Sequence, residues 1–198
     1  LINRRKFLLY ALGTMGSVLL SPKNTFMKIA QAASVGRPLL SPSVKETYLN
    51  FVMPLENRQQ TDMIIIHHVG GTNRDVSAAE IHQWHLANGW AGIGYHYVIR
   101  KDGTIERGRP RDVIGAHCYG YNKTSIGINL VGNFEEAYPT EAQLASGEQL
   151  TAYLCQLYRL NATDNIIFGH RDLNDTLCPG ENLYNQLEDF KQAVFAKL

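Results

Sequence analysis

A histidine and a cysteine share one loop-like stretch, Gly169-His170-Arg171-Asp172-Leu173-Asn174-Asp175-Thr176-Leu177-Cys178-Pro179-Gly180. An imidazole nitrogen and a thiolate are ligands for a borderline-soft cation such as Zn²⁺. Two ligands do not make a site, and the bland alternative is a surface histidine with a half-buried cysteine. A third candidate lies far upstream, where the apolar run Met63-Ile64-Ile65-Ile66 ends in His67-His68. Alternation along a strand sends these two neighbours to opposite faces, so one of them, and the spacing does not say which, is a ligand.

The elements that must position these groups are strands. Asn165-Ile166-Ile167-Phe168 runs into His170 as the isoleucine run does into His67. Lying side by side, two such strands deliver both histidines to one rim, where open α/β sheets place their ligand sites, and Cys178 closes the set from the loop.

Between them, Ser77-Ala78-Ala79-Glu80 reads as a capping box opening a helix to about Asn88, with Ile81, Trp84 and His85 on its inner face and Gly89 as its stop. The runs Tyr95 to Arg100 and Thr104 to Arg107 flank Asp102-Gly103, a hairpin signal. Ser125 to Val131 is a further strand, and Thr140-Glu141-Ala142-Gln143 a second capping box for a helix to about Leu160. Leu183, Leu187, Phe190 and Val194 share the face of a final helix. The fold class is α/β: one domain with a central mixed β-sheet flanked by α-helices. Trp84, Trp90 and Tyr97 read as core, His82 and His85 as surface and packing residues, and His96 as a core group or one behind the site. Cys155 reads as a buried thiol and Cys118 as a loop residue near the site; a Cys118 to Cys155 disulfide is a pairing that an exported protein permits.

The chain has 198 residues, 44% hydrophobic composition and a net charge of +1. That suits one domain with a modest appendage and gives no electrostatic reason to expect nucleic acid. At the start, Arg4-Arg5-Lys6-Phe7-Leu8 precedes an apolar segment too short and too rich in Gly, Ser and Thr for a membrane span. Residues 1–32 therefore read as an export signal, of twin-arginine type in preference to the general secretory type, with Ala30-Gln31-Ala32 as a cleavage site. Residues 33–60 read as a linker and N-terminal extension, and 61–198 as the main folded domain. The expected location is the periplasm or cell envelope, or outside the cell.

The matching runs accumulate in order: Ile64-Ile65-Ile66-His67-His68, Gln83-Trp84-His85, Gly89-Trp90, Ile93-Gly94-Tyr95-His96-Tyr97, Asp102-Gly103-Thr104-Ile105-Glu106-Arg107-Gly108-Arg109, Gly115-Ala116-His117, Tyr121-Asn122-Lys123-Thr124-Ser125-Ile126-Gly127, Gly169-His170-Arg171-Asp172 and Cys178-Pro179-Gly180. Together they resemble the zinc-dependent N-acetylmuramoyl-L-alanine amidases of the phage-lysozyme and peptidoglycan-recognition-protein type, also called amidase type 2. The resemblance implies one Zn²⁺ held by His67, His170 and Cys178, leaving His68 without a role. It implies catalytic parts for Tyr95 and Thr176, and substrate contacts for His117, Tyr121 and Asn122. The implied substrate is peptidoglycan or a muropeptide, cut at the amide between N-acetylmuramic acid and L-alanine of the stem; the protein is expected as a monomer.

Two imidazoles and one thiolate leave zinc a fourth position, suited to activating water and polarising an amide carbonyl. Tyr95, with Thr176, would then act as an oxyanion donor. Some relatives carry Glu where this chain has Asn129, which cannot shuttle a proton. Tyr95, then His117 or the activated water, take that part by default. The alternative function is a peptidoglycan-binding module of the same fold that does not cut, a reading that the presence of Cys178 opposes.

Overall fold

The computed structural model describes residues 40–161 and 165–198. The export-signal reading, with Arg4, Arg5 and the cleavage site, lies outside them.

The isoleucine run forms a strand as its β-branched residues require. With β1 as Val44–Lys45, this strand is β2, Met63–His68; α1 is Ala78–Ala87, β3 Tyr97–Ile99, β4 Ile105–Arg107 and β5 Ser125–Leu130. Then follow α2, Glu141–Tyr158, β6, Ile167–Gly169, a 3₁₀ turn at His170–Asp172, and α3 and α4, Glu181–Tyr184 and Leu187–Phe195. Six strands make one sheet in the order β1-β4-β3-β5-β2-β6. Only the β3–β4 hairpin is antiparallel, so the sheet is mixed as expected.

Each face of the sheet has its own core. Ile64, Ile66, Ile126, Ile128, Tyr97 and Ile99 pack under α2 and α4, where Gly147 lets the Phe190 ring close against α2. Each such isoleucine contributes about 1.5–3 kcal/mol by burial. The opposite face carries Val98 and Val131 beneath Val76, Ala78, Ile81 and Ile93 at α1.

Local signals succeed where a partner was in the sequence and fail where a third residue intervenes. The Thr140 capping box is complete, with Thr140 and Gln143 exchanging side-chain bonds with each other's backbone. At α1 only half a box forms: Ser77 Oγ accepts from Glu80 N, but the Glu80 carboxylate turns to Arg74. The amide of Ala78 bonds instead to the buried Glu106 carboxylate at 2.7 Å, joining the helix start to β4. The last helix is broken into α3 and α4 around Asn185 and Gln186. Trp84 and Trp90 are 36% and 47% exposed, which corrects their reading as core. His82 is buried, not a surface residue, because its ring accepts from Ile93 N and faces the Asn50 carbonyl of the N-terminal extension. All three cysteines are free thiols, so the Cys118 to Cys155 bridge is not formed.

Candidate active site

Parallel pairing of β2 with β6 sets Ile66 opposite Gly169, so the next residues, His67 and His170, leave the sheet side by side. Their ring centroids are 4.6 Å apart. The loop after β6 then returns: Arg171 N donates to Cys178 O at 2.8 Å, and Gly169 N to Asp172 Oδ2 at 2.8 Å. Arg171 pins the loop outward by pairing with Glu181 and Glu135. Together these contacts bring a nitrogen of His67, a nitrogen of His170 and Cys178 Sγ within 4.8 Å of one another.

Cys178 Sγ lies 3.6 Å from His67 Nδ1. A tetrahedral zinc with bonds of ~2.1 Å to nitrogen and ~2.3 Å to sulfur sets its ligand atoms roughly 3.6 Å apart, so this edge already has the dimension of the ion. Burial lowers the pKa of both His67 and His170, which keeps them neutral as ligation requires. Burial also pushes the Cys178 thiol up to about 12, against a 3.4 Å bond from His68 N that favours the thiolate. A cation beside the sulfur is what would ionise it. The donor set therefore fits zinc.

Each histidine is oriented from behind. His67 Nε2 faces His117 Nδ1 at 3.0 Å, His117 Nε2 faces Ser125 Oγ at 3.4 Å, and Ser125 Oγ donates to Tyr121 O at 2.8 Å. Read in one direction these bonds put the proton of His67 on Nε2 and free Nδ1 for a metal. His117 occupies a slot that only glycine permits: a Cβ at Gly127 would stand 2.6 Å from its ring, and one at Gly115 2.5 Å. On the other side, His170 Nε2 faces Asn174 Oδ1 at 3.1 Å.

A family model described as N-acetylmuramoyl-L-alanine amidase matches residues 57–181. The chain is 39% identical over 129 residues to the endolysin of Enterobacteria phage K11, spanning 64% of this chain and 85% of the endolysin. It is also 35% identical over 130 residues to peptidoglycan-recognition protein SC2 of Drosophila melanogaster, spanning 62% of this chain and 70% of that protein. Among solved structures, the N-acetylmuramoyl-L-alanine amidase LysC from Clostridium intestinale superposes with a TM-score of 0.71 at 37% identity, covering 77% of this chain and 97% of LysC. The chain belongs to the N-acetylmuramoyl-L-alanine amidase family.

Within this amidase the remaining candidates fall at varied distances from the ligands. Tyr95 packs its ring 5.1 Å from His67, and burial, with Cys178 nearby, raises its pKa so that the hydroxyl keeps its proton. The ring also lies 5.6 Å from that of His85, which accepts from Gly94 N and packs edge-on against Trp90 at 4.7 Å. Thr176 Oγ1 accepts from Cys178 N at 3.2 Å. His117 is 8% exposed and turned toward His67, backing that ring. Asn122 spends its carbonyl oxygen on the amides of His117 and Cys118, at 2.8 and 3.0 Å, holding the loop turn, while Tyr121 is half-buried at its edge.

Two roles escaped the sequence. His68 stabilises the site through its backbone, while its ring turns to the other face and accepts from Phe134 N at 3.1 Å. His85 supports Tyr95, and only its place in a matched motif hinted at this. Asn129 pairs in register with His67 and is fully buried, yet neither end of its amide has a partner among the described residues.

Proposed function

We propose that this chain hydrolyses the amide joining N-acetylmuramic acid to L-alanine of the peptidoglycan stem, using one Zn²⁺ held by His67, His170 and Cys178. The observation that carries this is the meeting of those three donors, one edge already at zinc dimensions, beside the ring of Tyr95. When bound, zinc supplies Lewis acidity toward water and the scissile carbonyl.

The chain's own residues do the rest. Tyr95 donates a hydrogen bond to the oxygen that gains charge as water adds to the carbonyl. Thr176, tied to the amide of Cys178, offers its hydroxyl proton to the same region. A phenol held above its usual pKa is a hydrogen-bond donor and a poor proton source. The water consumed therefore supplies both the hydroxyl that joins the carbonyl and the proton that leaves with the amine. His117 has both ring nitrogens engaged and cannot serve as that shuttle without releasing His67.

Mass spectrometry of products from a defined muropeptide, with and without chelator, tests the assignment. Lactyl-free stem peptide formed only with metal is expected; cleavage in the glycan or between amino acids would overturn it. Recognition without cutting is the competing reading, and the name of the fly relative keeps it in view, but it leaves the converging donors of His67, His170 and Cys178 without a purpose.

We further propose that residues 1–32 export the protein to the cell envelope, which is where the substrate lies, that 33–60 link them to the catalytic domain at 61–198, and that the enzyme acts as a monomer. Arg4-Arg5 ahead of a short apolar segment supports this. Export of an Arg4→Lys, Arg5→Lys double variant at the normal level would reject the twin-arginine route.

A further inference from the structure

Asn174 uses every hydrogen-bonding position it has. Its Oδ1 faces His170 Nε2 at 3.1 Å and accepts from Cys118 Sγ at 3.2 Å. Its Nδ2 donates to the carbonyls of Tyr119, at 3.2 Å, and Leu173, at 2.8 Å. Two carbonyl acceptors at one end of the amide identify that end as the nitrogen, so the end facing His170 is oxygen. An oxygen there requires the proton of His170 to sit on Nε2, which leaves the lone pair of Nδ1 to the metal. Cys118 reinforces the choice: burial pushes its thiol up to about 11, so it remains an S–H donor and occupies the second lone pair of the same oxygen.

We propose that Asn174 is a positioning residue that fixes His170 in its Nδ1-ligating tautomer, and that it ties the metal loop to the Cys118–Tyr119 turn. This rests on the zinc reading given above. Asn174 touches the ligand and not the substrate, so its effect is on metal retention and on where one proton sits.

Long-range ¹H–¹⁵N spectra of the labelled full chain locate that proton directly, in the metal-free and zinc-loaded forms. Wild type is expected to show His170 protonated at Nε2 in both. Zinc affinity, measured by competition with a chromophoric chelator, is expected to fall about 10–100-fold in Asn174→Leu, which has the same shape and no acceptor. Asn174→Asp keeps the acceptor and is expected to stay within about threefold of wild type. A His170 proton on Nδ1 in the metal-free protein, unchanged zinc affinity in Asn174→Leu, or an equal loss in both variants would each overturn the proposal. Should Asn174→Leu fail to fold, the wild-type spectrum still decides. A wild-type protein that binds no zinc removes the metal reading, and the metal-free tautomer then tests the role of Asn174 separately.

Discussion

His67 Nε2 and His117 Nδ1 stand 3.0 Å apart inside the protein, in a slot walled by Gly115 and Gly127. In the proposed zinc site the pair makes His117 a support for one of the ligands. His117→Leu removes the acceptor and leaves the His67 proton buried and unpaired, so zinc affinity is expected to fall about 10–100-fold. Chelator competition measures it, and an unchanged dissociation constant would show that His67 needs no such support.

Tyr95→Phe deletes one hydroxyl and keeps the ring that packs between His67 and His85. Zinc content by atomic absorption should be unchanged, while kcat falls roughly 10²–10³-fold. Loss of zinc alongside activity would mean that the hydroxyl serves metal retention and not the reacting carbonyl.

Cys178→Ser exchanges the soft ligand for a hard one in a place where His68 N still donates to it. The variant is expected to emerge from dialysis without zinc and with turnover at background. Full zinc occupancy in it would remove Cys178 from the ligand set.

Buried histidines should make the chelated protein acid-sensitive. Burial, with Arg58 beside it, lowers His96 to about 3, and burial lowers His68 and His85 to about 4. Each binds its proton more tightly when unfolded, near the usual 6.5, than when folded. Stability is therefore full above pH 6.5 and is lost as pH falls toward 3, by up to about 1.4 kcal/mol per pH unit for each group. Urea midpoints across that range should give a shallower slope for His96→Gln than for wild type; equal slopes would show that His96 does not contribute.

Asn129→Leu replaces an amide with no partner at either end among the described residues by an apolar group of like size. Because an unmade buried hydrogen bond costs ~1–3 kcal/mol, the change is expected to be neutral or stabilising in thermal melts. It should also leave kcat within a few-fold, since a carboxamide does not titrate and cannot act as a general acid or base. A loss of stability would reveal a buried partner, such as an ordered water.

The sheet and its ligand-bearing rim were legible because both strands announce themselves as β-branched runs ending in histidine. Position two such runs as parallel neighbours and His67 must meet His170. What was illegible depends on backbone direction or on a third residue. Nothing in Val44–Lys45 signals a strand, since two residues carry no period. Nor does sequence show that the amide of His68, not its ring, serves the sulfur. Trp84 and Trp90 sat in a helical and turn pattern that suited the core, and exposure came from where α1 ends. The resemblance implied a substrate contact for His117; that two glycines give its ring room beside His67 was not legible in the sequence.

Strand β6 is three residues long and hydrogen-bonds on one side only, to β2. A cation gripped by His67 and His170 would therefore rivet the outermost strand to its neighbour. Stripped of that rivet, the isoleucine-rich margin of β2 is screened by a single short strand, and bare margins recruit other copies of a chain. Prolonged chelation should then produce not only an inactive enzyme but one that sediments, and early return of zinc should keep it in solution.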